Sequence, residues 1–151
     1  MNKTLLFAAI LGCTTAGHAL AGTYEWTSGW AQGVTEYQVD DGNGNELNIS
    51  CSDDEETSIT AYANVAGKQY ASDDNGGGFD VIVDGETYSN PFFTDCNVCS
   101  DIFKNGFWAD LRKANNLQIS AGGKTITLPT KNLKTTLLPL SSKDNVCHAG
   151  W

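Results

Sequence analysis

The chain is predicted to be a mainly β (α+β) domain: a β-sandwich or a strongly curved antiparallel sheet, covered by one helix in its C-terminal half and held by disulfides. Three observations predict it. Apolar and polar residues alternate with a period of two in several short runs, turn residues separate those runs, and a single helical stripe occurs late in the chain. At 151 residues the chain has the length of one domain, and neither a repeat nor a linker divides it.

Residues 1–21 carry the features of an export signal. Lys3 supplies a positive start, Leu5 to Gly12 an apolar core, and Ala19-Leu20-Ala21 a small-x-small cleavage pattern. The apolar core is far shorter than the roughly 20 residues that span a bilayer, so a cleaved signal is expected rather than an anchor. Cleavage leaves Gly22 first and residues 22–151 as a single β-rich periplasmic domain. An alternative is a lipoprotein box, Ile10-Leu11-Gly12-Cys13, with Cys13 as the lipid-anchored residue.

From Gly22 to Gly85 the runs suit half-buried strands. Tyr24, Trp26 and Trp30 alternate with polar residues, as do Thr35 to Val39 and Leu47 to Cys51, and Asp40 to Asn45 between the last two runs suits a hairpin turn. Ser58 to Val65 is a fourth strand closed by Gly67. Ser72 to Gly78 suits a loop, and Phe79 to Val83 leads through Asp84-Gly85 to Thr87-Tyr88 as a second hairpin. The helix is expected from Asn105 to Ala114, where Phe107, Trp108, Leu111 and Ala114 form one apolar stripe. Gln118 to Ser120 and Thr125 to Leu128 flank Gly122-Gly123 as a last hairpin, and a short helical turn is expected over Leu133 to Leu138.

Outside the signal the chain keeps four cysteines, Cys51, Cys96, Cys99 and Cys147, an even number suited to an oxidising compartment. Three pairings are open. The favoured one joins Cys96 to Cys99 and Cys51 to Cys147, and pairing Cys51 with Cys96 or Cys99 is the competing arrangement. Cys96-Asn97-Val98-Cys99 also has the spacing of a redox dithiol. A thioredoxin-like site needs a βαβ context with the pair opening a helix, whereas the chain before it is hairpin-like. A zinc site needs further ligands at matching spacing, and Cys51, Cys147 and His148 lie far apart in sequence. The expectation is therefore structural disulfides, no metal and no cofactor.

No other motif carries chemistry. Asp41 to Glu46 fails as a calcium loop because Glu46 stands where the loop requires glycine and Ser52 where it requires a carboxylate. Asp53-Asp54-Glu55-Glu56 and Asp73-Asp74 suit solvated loops. There is no Gly-x-Ser-x-Gly, and His148 is the one histidine beyond the signal. Trp26, Trp30 and Tyr37 are candidate binding aromatics, although core packing is the favoured role for large side chains in a small β-domain.

The formal net charge is −9, and loss of Lys3 with the signal makes it roughly −10. Such a surface repels phosphate backbones, so nucleic acid is an unsuitable partner and a cationic protein a suitable one. The expected function is a periplasmic accessory or binding protein without catalysis, of unspecified oligomeric state. The alternatives are an inhibitor or immunity protein against a cationic cell-wall enzyme, and a thiol–disulfide oxidoreductase using Cys96 and Cys99.

The stretch from Val83 to Leu140 resembles the second half of the invasion-associated locus B family. The resemblance is carried by Val83-Asp84-Gly85, Asn90-Pro91-Phe92, the close pair Cys96 and Cys99, Phe107 to Ala114, Ile119, and Leu128-Pro129 with Leu133 and Leu137. It implies a small exported, β-rich, periplasmic protein and brings no catalytic residues. Its cysteine pair is tighter here than the family suggests, and the first half matches only in its strands and in Cys51 after Leu47 to Ser50.

Overall fold

In the computed structural model, residues 22–54, 57–73 and 77–150 are described. Residues 1–21, where the export signal and Cys13 lipid site are expected, and Glu55, Glu56 and Asp74 of the acidic runs lie outside them. Nine strands form two antiparallel sheets. The first holds β1 (Thr27–Ala31), β2 (Val34–Asp40), β3 (Glu46–Ser52), β4 (Thr60–Val65) and β5 (Lys68–Ala71) in that spatial order. The second holds β6 (Asp80–Val83), β7 (Glu86–Ser89), β8 (Leu117–Ala121) and β9 (Lys124–Leu128) in the order β7-β6-β8-β9.

Four two-residue hairpins fix the registers, closed by Ala31 with Val34, Val65 with Lys68, Val83 with Glu86, and Ala121 with Lys124. Both loop residues have positive φ in each: Gln32-Gly33, Ala66-Gly67, Asp84-Gly85 and Gly122-Gly123. That is the turn whose twist matches the strands it joins. Ala66-Gly67 therefore opens β5 rather than ending the sheet, so a strand stands at Lys68–Ala71, where the sequence suggested no element.

Alternation then places one face of each sheet in a shared core. Tyr37 and Val39 of β2, Leu47 and Ile49 of β3, and Ala61, Ala63 and Val65 of β4 are buried, as are Val81, Leu117 and Ile119 from the second sheet. The helix is longer than expected. It runs through α1 (Asn97–Ile102), a π-helical stretch (Phe103–Phe107) and α2 (Trp108–Leu111), a continuous 15 residues that start directly after Cys96. In the π-helical stretch the Trp108 N–H reaches back to the Phe103 carbonyl, which widens the turn and lets the neighbours Phe107 and Trp108 both face inward. Trp108 meets Tyr37 of the first sheet with ring centroids 6.5 Å apart, and Phe107 meets Tyr88 of the second at 5.1 Å. A short α3 (Leu133–Thr136) follows, as the sequence suggested.

Both local and long-range disulfides are present. Cys51 and Cys147 join β3 to the C-terminal tail, 96 positions apart, while Cys96 and Cys99 are joined across three. The tail is further held by the Ile59 N–H donating to His148 O at 3.1 Å and the Gly150 N–H donating to Thr94 Oγ1 at 2.9 Å.

One consequence is an alkaline limit. Burial, reinforced by the nearby Asp110 carboxylate, pushes the Tyr88 hydroxyl far above its usual range, and that hydroxyl donates to Asp110 Oδ2 at 2.7 Å. A raised pKa of this kind contributes stability that is fully present below the unfolded value of about 10 and is lost as pH rises above it. Tyr88→Phe should therefore flatten the decline of unfolding free energy measured by urea titration between pH 9 and 11, both about neutral-side and alkaline-side of that value. An unchanged slope would assign the decline to other groups.

Candidate functional site

The candidate binding aromatics do not share a surface. Trp26 and Tyr37 are core residues, 1% and 3% exposed, which is the packing role the sequence favours for them and leaves them no binding surface. Trp26 is tied to the segment after β9: its indole N–H donates to Pro129 O and its backbone N–H to Lys131 O. Tyr37 packs on Trp108. Only Trp30 is open to solvent, at 66% exposure.

Trp30 lies on β1, whose five residues are all exposed. Among the described residues this strand pairs with β2 along one side only. Because Ala31 and Val34 close a two-residue hairpin, the bonded pairs continue at Gly29 with Glu36 and at Thr27 with Gln38. The backbone N–H and C=O groups of Ser28 and Trp30 consequently point away from the sheet. The Trp26 N–H, next in the same series, also points outward and finds Lys131 O at 2.9 Å.

Edge strands usually carry a charge or proline that discourages pairing with another chain. The other three edges here follow the rule, with Lys68 on β5, Glu86 on β7 and Lys124 on β9. The β1 sequence, Thr-Ser-Gly-Trp-Ala, has neither. Its charge is supplied from behind instead: Asp53 Oδ2 accepts the Trp30 indole N–H at 3.0 Å, and Glu36 is the direct neighbour of Gly29. A depression of about 560 Å³ lined by Gly29, Trp30, Ala31, Gln32, Val34 and Glu36 runs along this edge. The small side chains of Gly29 and Ala31 leave it open.

The chain matches the YfjT family model over residues 24–137. It belongs to the YfjT family. No curated protein and no solved structure matches it. In this YfjT protein the matched region covers β1, both sheets, the helix and the Cys96–Cys99 pair, but stops before Cys147.

Other sequence candidates resolve into structural roles. Asp41 caps its own turn, accepting the backbone N–H of Asn43 at 2.8 Å and the Asn45 side-chain amide at 2.7 Å. Burial alone would raise its pKa, but these hydrogen bonds hold the carboxyl below its usual range. Among the described residues no group of three metal-ligating side chains occurs, and no helix is long and apolar enough to cross a membrane. His148 is turned inward, with Nδ1 3.0 Å from Val146 O. The signal that sequence reading lacked was strand order: only the topology shows that Trp30 stands on an edge and Tyr37 does not.

Proposed function

We propose that this protein is an exported periplasmic accessory protein that captures an extended, cationic segment of another protein by strand addition at β1. The observation that carries the reading is the uncharged β1 edge, unpaired among the described residues, with exposed Trp30 and acidic neighbours. Strand addition takes affinity from main-chain hydrogen bonds and specificity from alternate side chains. Ser28 and Trp30 provide the former. Trp30 provides an aromatic anchor, and Glu36 and Asp53 favour lysine or arginine on the incoming strand. A cationic cell-wall enzyme is one partner with this chemistry.

Export is supported by Lys3, the apolar Leu5 to Gly12 core and Ala19-Leu20-Ala21, and two disulfides are compatible with that address. The resemblance of Val83 to Leu140 to the invasion-associated locus B family supports the same compartment. Intact mass of protein from a periplasmic fraction should start at Gly22 and lack the four hydrogens that two disulfides remove. A lipid on Cys13, or a retained Met1, would contradict the soluble exported form.

For the binding itself, a synthetic peptide of alternating lysine and valine is expected to change Trp30 fluorescence. The effect should weaken as salt rises toward 1 M, where the screening length falls to about 3 Å. Trp30→Ala should reduce peptide affinity at least about tenfold while changing stability by less than about 0.5 kcal/mol, because the side chain is a surface anchor. Equal binding of an alternating glutamate–valine peptide would contradict the charge argument.

A further inference from the structure

The two disulfides stand in opposite environments. Cys51 and Cys147 are 1% and 6% exposed, whereas Cys96 and Cys99 are both half-buried. The sequence places the pair in a loop before a helix that starts at Asn105. The structure begins it at Asn97, with Cys96 as its N-cap and the Cys99 backbone N–H donating to Cys96 Sγ at 3.1 Å. The first turn of this helix contains no acidic residue, and the neighbouring Asp95 accepts a hydrogen bond from Ser58.

A thiolate at a helix N-terminus is stabilised by the helix dipole and by first-turn N–H groups. With the Cys99 N–H directed at its sulfur, Cys96 is placed as the better leaving group of the pair in exchange. Beside the pair lies a groove of about 170 Å³ lined by Pro91, Phe93, Val98 and Ile102 together with both cysteines. Val98 is 68% and Ile102 49% exposed, and with Tyr24 and Trp30 they are the exposed large apolar side chains of the described residues. Exposing Val98 and Ile102 while burying Ser100 is the reverse of what packing alone would select.

We infer that Cys96–Cys99 is a second functional site, a disulfide that exchanges with dithiols in apolar polypeptide segments. One substrate thiolate attacks Cys96 Sγ. The Cys96–Cys99 bond breaks, and its electron pair goes to Cys99 Sγ, which takes the proton released by the substrate thiol. The second substrate thiolate then attacks the substrate sulfur of the mixed disulfide and expels Cys96 as a thiolate facing the Cys99 N–H. The substrate dithiol is oxidised by two electrons and the Cys96/Cys99 pair is reduced by two. The groove positions the segment that carries the thiols, and Cys51–Cys147 takes no part.

The folded wild-type protein, equilibrated in glutathione buffers of graded potential and alkylated, tests this by mass mapping. Cys96 and Cys99 should become alkylated together while Cys51–Cys147 stays closed; a pair that resists until the protein is denatured overturns the inference. Cys99→Ser, given a single-cysteine peptide flanked by leucines as its mixed disulfide with glutathione, should take up the peptide on Cys96 and release glutathione as the thiol, and this mixed disulfide should persist because no Cys99 thiol remains to resolve it. Val98→Ser with Ile102→Ser, which removes the apolar side chains without adding charge, should slow exchange with the corresponding leucine-flanked dicysteine peptide about tenfold and slow exchange with glutathione far less. Equal slowing of both, or none, removes the groove from the account. Trp30→Ala should leave all these readouts unaltered, so failure here and failure at β1 are separable.

Discussion

Replacing Cys51 and Cys147 together by alanine is expected to lower the unfolding free energy by between about 4 and 5 kcal/mol in the chain-entropy model. The bond closes a span of 96 positions, from β3 in the first sheet to the tail beyond α3. Without it the unfolded chain regains most of its freedom, and the tail keeps only contacts such as Ile59 with His148 O and Gly150 with Thr94. For a domain of this size such a loss is a large part of total stability. The same double replacement at Cys96 and Cys99 should cost only about 2 kcal/mol in that model, because the closed loop is so short. Urea denaturation of the two variants side by side measures the difference. Similar midpoints would show that the tail is held by its packing rather than by its bond.

Trp108→Ala should be about as damaging, at roughly 3 to 5 kcal/mol. Trp108 is 1% exposed and sits where the helix touches the first sheet, with Phe103 at 5.4 Å and Tyr37 at 6.5 Å between ring centroids. Its indole N–H also donates to Leu138 O at 2.8 Å, linking the helix to the segment after α3. Asn145 Nδ2 donates to the same carbonyl at 2.8 Å, so that acceptor keeps one partner and the cost is chiefly a cavity. Trp108→Phe should recover much of the loss, since a ring remains in contact with Phe103. Chemical denaturation distinguishes the two; equal losses would assign the indole hydrogen bond the larger share.

The central strands were legible because their inward faces are strictly apolar: Tyr37 and Val39, then Leu47, Ile49 and Cys51. The long disulfide was legible as one favoured pairing among three. The helix start was not. Its first turns expose Val98 and Ile102 and bury Ser100, which inverts the amphipathic pattern, while Asn105-Gly106 resembles a boundary but lies in the π-helical stretch. β5 escaped because Lys-Gln-Tyr-Ala on an edge is only partly buried, at Tyr70 and Ala71, and shows no alternation. The candidate site divided in the same way. Trp30 and Tyr37 are alike as sequence, and their fates follow from where each strand sits in its sheet, a property of long-range pairing, while Trp26, just before β1, is buried by its contacts with the segment after β9.

Peptide-induced shifts of backbone amides, followed by heteronuclear NMR, test the β1 docking claim most directly. On titration with the lysine–valine peptide, the amides of Ser28 and Trp30 should shift and become protected from hydrogen exchange, while those of β5, β7 and β9 stay unchanged. Ser28→Pro, which deletes one outward N–H without touching the β2 ladder, should abolish the response in an otherwise folded protein. Binding that persists in Ser28→Pro, or shifts centred on another edge, would contradict docking at β1.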